Sequence, residues 1–229
     1  MKELVSADPA LAIIDDVRTY VSQHAQSEVH ISLTGGRVGS VISRVLVAEY
    51  ADNPRIHFWF SDERFVTSES SDRNDAGLRD LATQCHLHSI SSSQNATTPE
   101  QAALEYSHEI HKVLTSRFCC DNTLMDICIL SIGPDGHIAS LFPGHSALTE
   151  SLGVVGINDS PKPPAQRVTW TYPTLNASRQ VWLVATGSQK AHAIDELRDG
   201  ADAQSLPVAG VRGKQETRLY LDVEASSPA

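Results

Sequence analysis

MDICILSIGPDGHIASLFPGH, residues 125–145, passes from an apolar run into a segment dense in glycine and proline. An apolar run of this length, closed by Gly133 and Pro134, reads as a buried strand that stops abruptly. Gly136 permits a tight turn, and the spacing then predicts a short helix over HIASLF, 137–142, with His137 at or near its start. The positive end of a helix disfavours an imidazolium, so a histidine placed there is suited to accept a proton. Asp135 is close enough to orient that ring or to cap the helix. A histidine set between glycines at a strand end is a candidate for chemistry rather than packing.

Outward from this stretch, strands and helices alternate. Leu11, Ile14, Val17 and Val21 recur at helical spacing before EVHISLTGG, 28–36, which reads as strand and glycine turn. Residues 38–51 read as helix, 55–61 as an aromatic strand, 74–83 as helix and HLHSI, 86–90, as a short strand. Thr98, Pro99 and Glu100 suit the start of a helix running to about residue 117. After the proline-rich SPKPP, 160–164, RVTWT and QVWLVATG read as strands and SQKAHAIDELRDG as a helix closed by glycine. Such alternation implies a mostly parallel sheet covered on both faces, an α/β fold, and the whole chain, 1–229, is read as one domain.

In open α/β sheets ligands bind beyond the carboxyl ends of the strands. TGG, DER, GPDGH and TGSQK all fall there. Gly35 and Gly36, after Thr34, let backbone approach a ligand, and amides opening the next helix can donate to phosphate, although an ordinary strand-to-helix turn explains the same glycines. Position 37 is arginine, so the spacing lacks G-x-G-x-x-G, and no G-K-[ST] occurs. Arg64 can clamp a carboxylate, phosphate or polarised carbonyl, with Asp62 and Glu63 beside it, and a surface ion pair is the competing reading. Lys190 on the first turn of a helix can grip a phosphate, with Lys162 and Arg167 as further candidates, and ordinary solvated cations are the competing reading. His86, His88, His108 and His111 read as structural or exposed, and His145 stays open.

Composition bounds the function. The 229 residues are 41% hydrophobic and 20% charged, ordinary globular usage. A net charge of −10 argues against a nucleic-acid binder, yet residues 160–220 carry eight cations against five acids, which could hold a small anion, although a mixed solvated surface explains the same count. No apolar run approaches a membrane span, and MKELVSADPALAIIDDV lacks the basic start of a secretory signal, so a cytoplasmic location is expected. Cys85, Cys119, Cys120 and Cys128 include no C-x-x-C and are expected as free thiols, without a metal site or disulfide framework.

LTGGRVG, FWFSDER, SSDRN with Asn74, ILSIGPDGHIASLFPGH, the long stretch SPKPPAQRVTWTYPTLNASRQVWLVATGSQKA and LPVAGVRG together resemble the 6-phosphogluconolactonases and their superfamily partners, the glucosamine-6-phosphate deaminases. The resemblance implies a Rossmann-like three-layer fold and cofactor-free, metal-free hydrolysis of 6-phosphogluconolactone in the pentose phosphate pathway, by a monomer or homodimer. It implies His137 as general base, Asp135 as its support and Arg64 as a substrate ligand offsetting charge on the carbonyl oxygen. Thr34, Gly35, Gly36, Arg37, Asp62, Asn74, Lys162, Arg167 and Lys190 are then the expected substrate contacts. Relatives resemble GGSTP where this chain has Arg37 and Val38. Deaminases continue DGHIAFNEP, with a proton-transferring glutamate, where this chain has Phe142, and sensors with similar domains carry an added DNA-binding segment. Those two classes are the alternatives.

Overall fold

Buried β-branched and aromatic runs form the middle of the fold. In a computed structural model, which describes residues 1–120 and 122–228 save the side chains at 116 and 118–120, VHISL and IHFWF are strands buried at every position. Burial on both faces is what a parallel strand under two layers of helix requires. The strands are β1 (Lys2–Val5), β2 (Val29–Leu33), β3 (Ile56–Phe60), β4 (Asp62–Arg64), β5 (His86–Leu87), β6 (Ile127–Ser131), β7 (Val154–Ile157), β8 (Arg167–Trp170), β9 (Gln180–Ala185) and β10 (Glu216–Leu221). The helices are α1 (Pro9–Gln23), α2 (Gly36–Glu49), α3 (Pro99–Cys120), α4 (Tyr172–Leu175), α5 (Ala191–Arg198) and α6 (Val223–Ser226).

Seven strands make one sheet in the order β1-β10-β9-β6-β2-β3-β5, and each neighbouring pair is parallel. The expected Rossmann-like α/β architecture is the one observed, with helices flanking that sheet. Trp59 on β3 and Trp182 on β9 are buried within it. A second, antiparallel sheet, β4-β8-β7, stands beside it, with Trp170 buried and α3 packed along β7 and β8. No described helix is long and apolar enough to cross a membrane.

Three local expectations fail. Residues 74–83 form successive turns instead of a helix: Gly77 stands at φ 68°, a backbone that no helix continues, and Glu63 holds the start of the segment by accepting from the N–H groups of Asn74 and Asp75. HIASLF is a tight bend closed by a bridge between Ile138 and Leu141, with Ala139 at φ 47°, a backbone that no helix continues. A strand, β1, precedes the one expected first. Cys85 and Cys128 are free and buried, whereas Cys119 and Cys120 lie outside the described side chains.

Candidate active site

Because the central sheet is parallel, all its strand ends point the same way, and β9, β6, β2 and β3 are consecutive neighbours in it. The four loops singled out by sequence therefore meet along one edge. They surround a cleft of about 210 Å³ lined by Thr34, Gly35, Gly36, Asp62, Arg64, Asn74, His137, Arg167 and Lys190. Arg37 lies next door, lining with Gly36 and Lys190 an adjoining cavity of about 330 Å³. Asp135 and Lys162 complete the expected set through contacts to His137 rather than by lining the cleft.

The His137 ring is held from both sides. Nδ1 lies 2.5 Å from Asp135 Oδ1, and Lys162 Nζ lies 3.0 Å from both that oxygen and Nδ1. One ring nitrogen cannot donate to the carboxylate and accept from the ammonium together. The shorter contact makes Nδ1 the donor, with Lys162 donating to Asp135, and leaves Nε2 as the ring's basic nitrogen. Burial works to raise the Asp135 pKa, but hydrogen bonds and charge from His137 and Lys162 outweigh it and hold the carboxyl well below the usual range. The face of the ring stacks on Phe142, centroids 4.7 Å apart. Gly133 makes room for this arrangement: a Cβ there would lie 1.8 Å from His137 Nδ1. With no helix at His137, the helix terminus expected to keep the ring neutral is absent, and of the two roles open to Asp135 it contacts the ring and caps no helix.

Cations ring the cleft. Arg167, nearly buried, spends its guanidinium on the proline-rich loop, donating to the carbonyls of Lys162, Pro163 and Pro164 at 3.0–3.1 Å. It thereby shapes the segment that presents Lys162. Arg64 donates from Nη1 to the Asp72 carbonyl at 2.6 Å, and its buried Nε has no partner. Lys190 is pushed down from its ordinary pKa by burial first, then by repulsion from Lys162 and Arg37, with Asp135 pulling the other way. An ammonium with cations for neighbours and no hydrogen-bond partner among the described residues is a place for an anion.

Asp62 is almost fully buried and accepts from Ser140 Oγ at 2.7 Å, while Asn74 Nδ2 donates to its carbonyl at 2.8 Å. Asn74 in turn packs on Gly35, where a Cβ would meet its Oδ1 at 2.0 Å. Sequence reasoning missed Ser131, whose Oγ donates to the Gly35 carbonyl at 3.0 Å and whose N–H donates to Thr34 Oγ1 at 3.1 Å. A polar residue ending an apolar strand was the available signal. Ser140, Arg73 and Asp75 had none.

At the opposite ends of β2 and β3, Glu28, His30 and His57 bring donor atoms within 4.8 Å of one another. Trp59 Nε1 donates to His30 Nδ1 at 3.1 Å, which puts the ring's proton on Nε2, 3.8 Å from Glu28. A protonated nitrogen is no metal donor, so this cluster reads as a hydrogen-bonded histidine stack.

The sequence profile described as glucosamine-6-phosphate isomerases/6-phosphogluconolactonase matches residues 2–220. A 6-phosphogluconolactonase of Streptomyces coelicolor is 32% identical, covering 99% of this chain and 91% of that protein. The human 6-phosphogluconolactonase is 36% identical over 82% of this chain and 75% of its own. Among solved structures, the 6-phosphogluconolactonase of Thermotoga maritima superposes with a TM-score of 0.78 at 26% identity, covering 96% of this chain and 97% of that one. A profile match over nearly the entire length, together with such relatives, leaves one assignment: the chain belongs to the glucosamine-6-phosphate isomerase/6-phosphogluconolactonase family.

Proposed function

We propose that this protein, acting as one catalytic domain, is a 6-phosphogluconolactonase that opens 6-phospho-D-glucono-1,5-lactone to 6-phospho-D-gluconate in the pentose phosphate pathway. The observation that carries the mechanism is the 2.5 Å contact between Asp135 and His137 Nδ1, which dedicates Nε2 to proton transfer. Water attacks the lactone carbonyl while Nε2 takes its proton. The tetrahedral intermediate then collapses, the bond from the carbonyl carbon to the ring oxygen breaks, and the imidazolium returns the proton to that oxygen. Arg64, with an unpartnered buried Nε, offsets the charge that gathers on the carbonyl oxygen. The amides at Gly35 and Gly36, with Arg37 and Lys190, hold the phosphate at the far end of the sugar, and its binding energy positions the ring for attack.

Phe142 favours hydrolysis over deamination. It is buried, 1% exposed, and stacked on the catalytic ring, at the place where the resemblance puts a deaminase's glutamate. A phenyl group transfers no proton. The test is lactone loss by purified protein, corrected for spontaneous hydrolysis, against His137→Ala. Equal corrected rates in the two would eliminate His137 as base, and ammonia release from glucosamine 6-phosphate would establish the deaminase reading instead.

A further inference from the structure

The Glu63 side chain is 1% exposed and, unlike Asp62 and Arg64 on either side of it, does not line the cleft. Its Oε1 accepts from the backbone N–H groups of Arg64 at 2.8 Å and Asn74 at 2.7 Å, and its Oε2 from that of Asp75 at 3.1 Å. Arg73 Nη2 lies 3.6 Å from Oε2 and is itself held by Asp75 and the Ile90 carbonyl. One side chain thus fastens the 73–75 turn to the strand carrying Asp62 and Arg64. The turn's cargo is Asn74, which reaches Asp62 on one side and packs on the Gly35 backbone on the other.

We infer that Glu63 is a positioning residue of the lactonase: it sets Arg64 and Asn74 in register with the glycine loop, so that the two ends of the substrate site keep their spacing. The inference rests on the lactonase reading for its kinetic consequence and on geometry for the rest. Burial, with repulsion from Asp75, raises the pKa of Glu63 to about 7, while the Arg73 charge and the N–H donors of Asn74 and Arg64 oppose the rise.

Glu63→Gln keeps the volume but replaces one acceptor oxygen with N–H₂, which must face either the Arg64 and Asn74 N–H groups or the Asp75 N–H and the Arg73 guanidinium, so it loosens the fastening without opening a cavity. In that variant kcat/KM should fall on the order of 10- to 100-fold, as a displacement of substrate-positioning groups entails. Asn74→Ala combined with Glu63→Gln should cost little more than either alone, because both act on the same placement. Amide hydrogen exchange at 73–75 should accelerate in Glu63→Gln whatever the substrate proves to be. A Glu63→Gln enzyme with wild-type kcat/KM, or losses that multiply in the double variant, would overturn the positioning role even if the melting temperature fell. Unchanged exchange at 73–75 would overturn the fastening itself. A wild type inactive on the lactone would count against the lactonase reading and leave exchange to decide the fastening.

Discussion

Gly133→Ala isolates the placement of the catalytic ring. Gly133 is absent from the glycines with positive φ, so alanine meets no backbone penalty there and its effect is steric. The added Cβ would lie 1.8 Å from His137 Nδ1, 2.0 Å from Cε1 and 2.6 Å from Asp135 Oδ1. Carbon and nitrogen settle at roughly 3.5 Å, so the ring or the strand end must retreat by about 1.7 Å. That movement exceeds what the 2.5 Å bond to Asp135 tolerates. A misplacement of about 1 Å at a catalytic group costs on the order of 100-fold, or about 2.7 kcal/mol of barrier, so kcat should fall at least that far. Background-corrected lactone hydrolysis reads the loss, and a thermal melt confirms that the variant is folded. A folded Gly133→Ala enzyme within threefold of wild type would refute the claim that Nδ1 must sit where it does.

Asp135→Asn removes an acceptor shared by His137 and Lys162, and kcat should drop by on the order of 100-fold or more with KM nearly constant; a loss confined to KM would contradict the orienting role. Lys190→Ala should raise KM for the phosphorylated lactone about tenfold and leave an unphosphorylated lactone unaffected, so equal effects on both would remove Lys190 from the phosphate end. Burial, reinforced by neighbouring cationic and histidine groups, pushes His30 down to about 2 and His57 down to about 3. Their neutral forms stabilise the fold fully above the unfolded value near 6.5, and that contribution is lost as pH falls below it. Between pH 6.5 and 5 each contributes a loss of about 2 kcal/mol. Urea midpoints should therefore fall across that window, and a flat profile, or an equally steep one in His30→Gln/His57→Asn, would refute the assignment.

Much of this site was legible because parallel strand ends converge by geometry: once β2, β3, β6 and β9 read as parallel strands, their loops had to share an edge. Glycine and proline marked those loops. The small antiparallel sheet was not legible as such, because DER, three charged residues, carries no apolar alternation, and its strand character comes from pairing with β8. The turn at 74–83 escaped for a related reason. Its helical spacing is real, but Gly77 takes a left-handed backbone that no helix continues, and Glu63 holds the segment from outside it. Asp135, by contrast, was readable from proximity alone, since a carboxylate two residues from a histidine across a glycine turn has few other places to go.

In the β4–β8 pair, Arg64 stands directly opposite Arg167. Burial lowers the Arg167 pKa, Asp62 restores part of it, and Arg64 pushes it down again. Like charges facing each other across a ladder oppose folding, and a multivalent oxyanion bound between them would relieve that repulsion. This edge of the molecule should accordingly firm up around a bound phosphorylated product. At a hundredfold excess over the dissociation constant, that coupling adds about 2.7 kcal/mol to the fold.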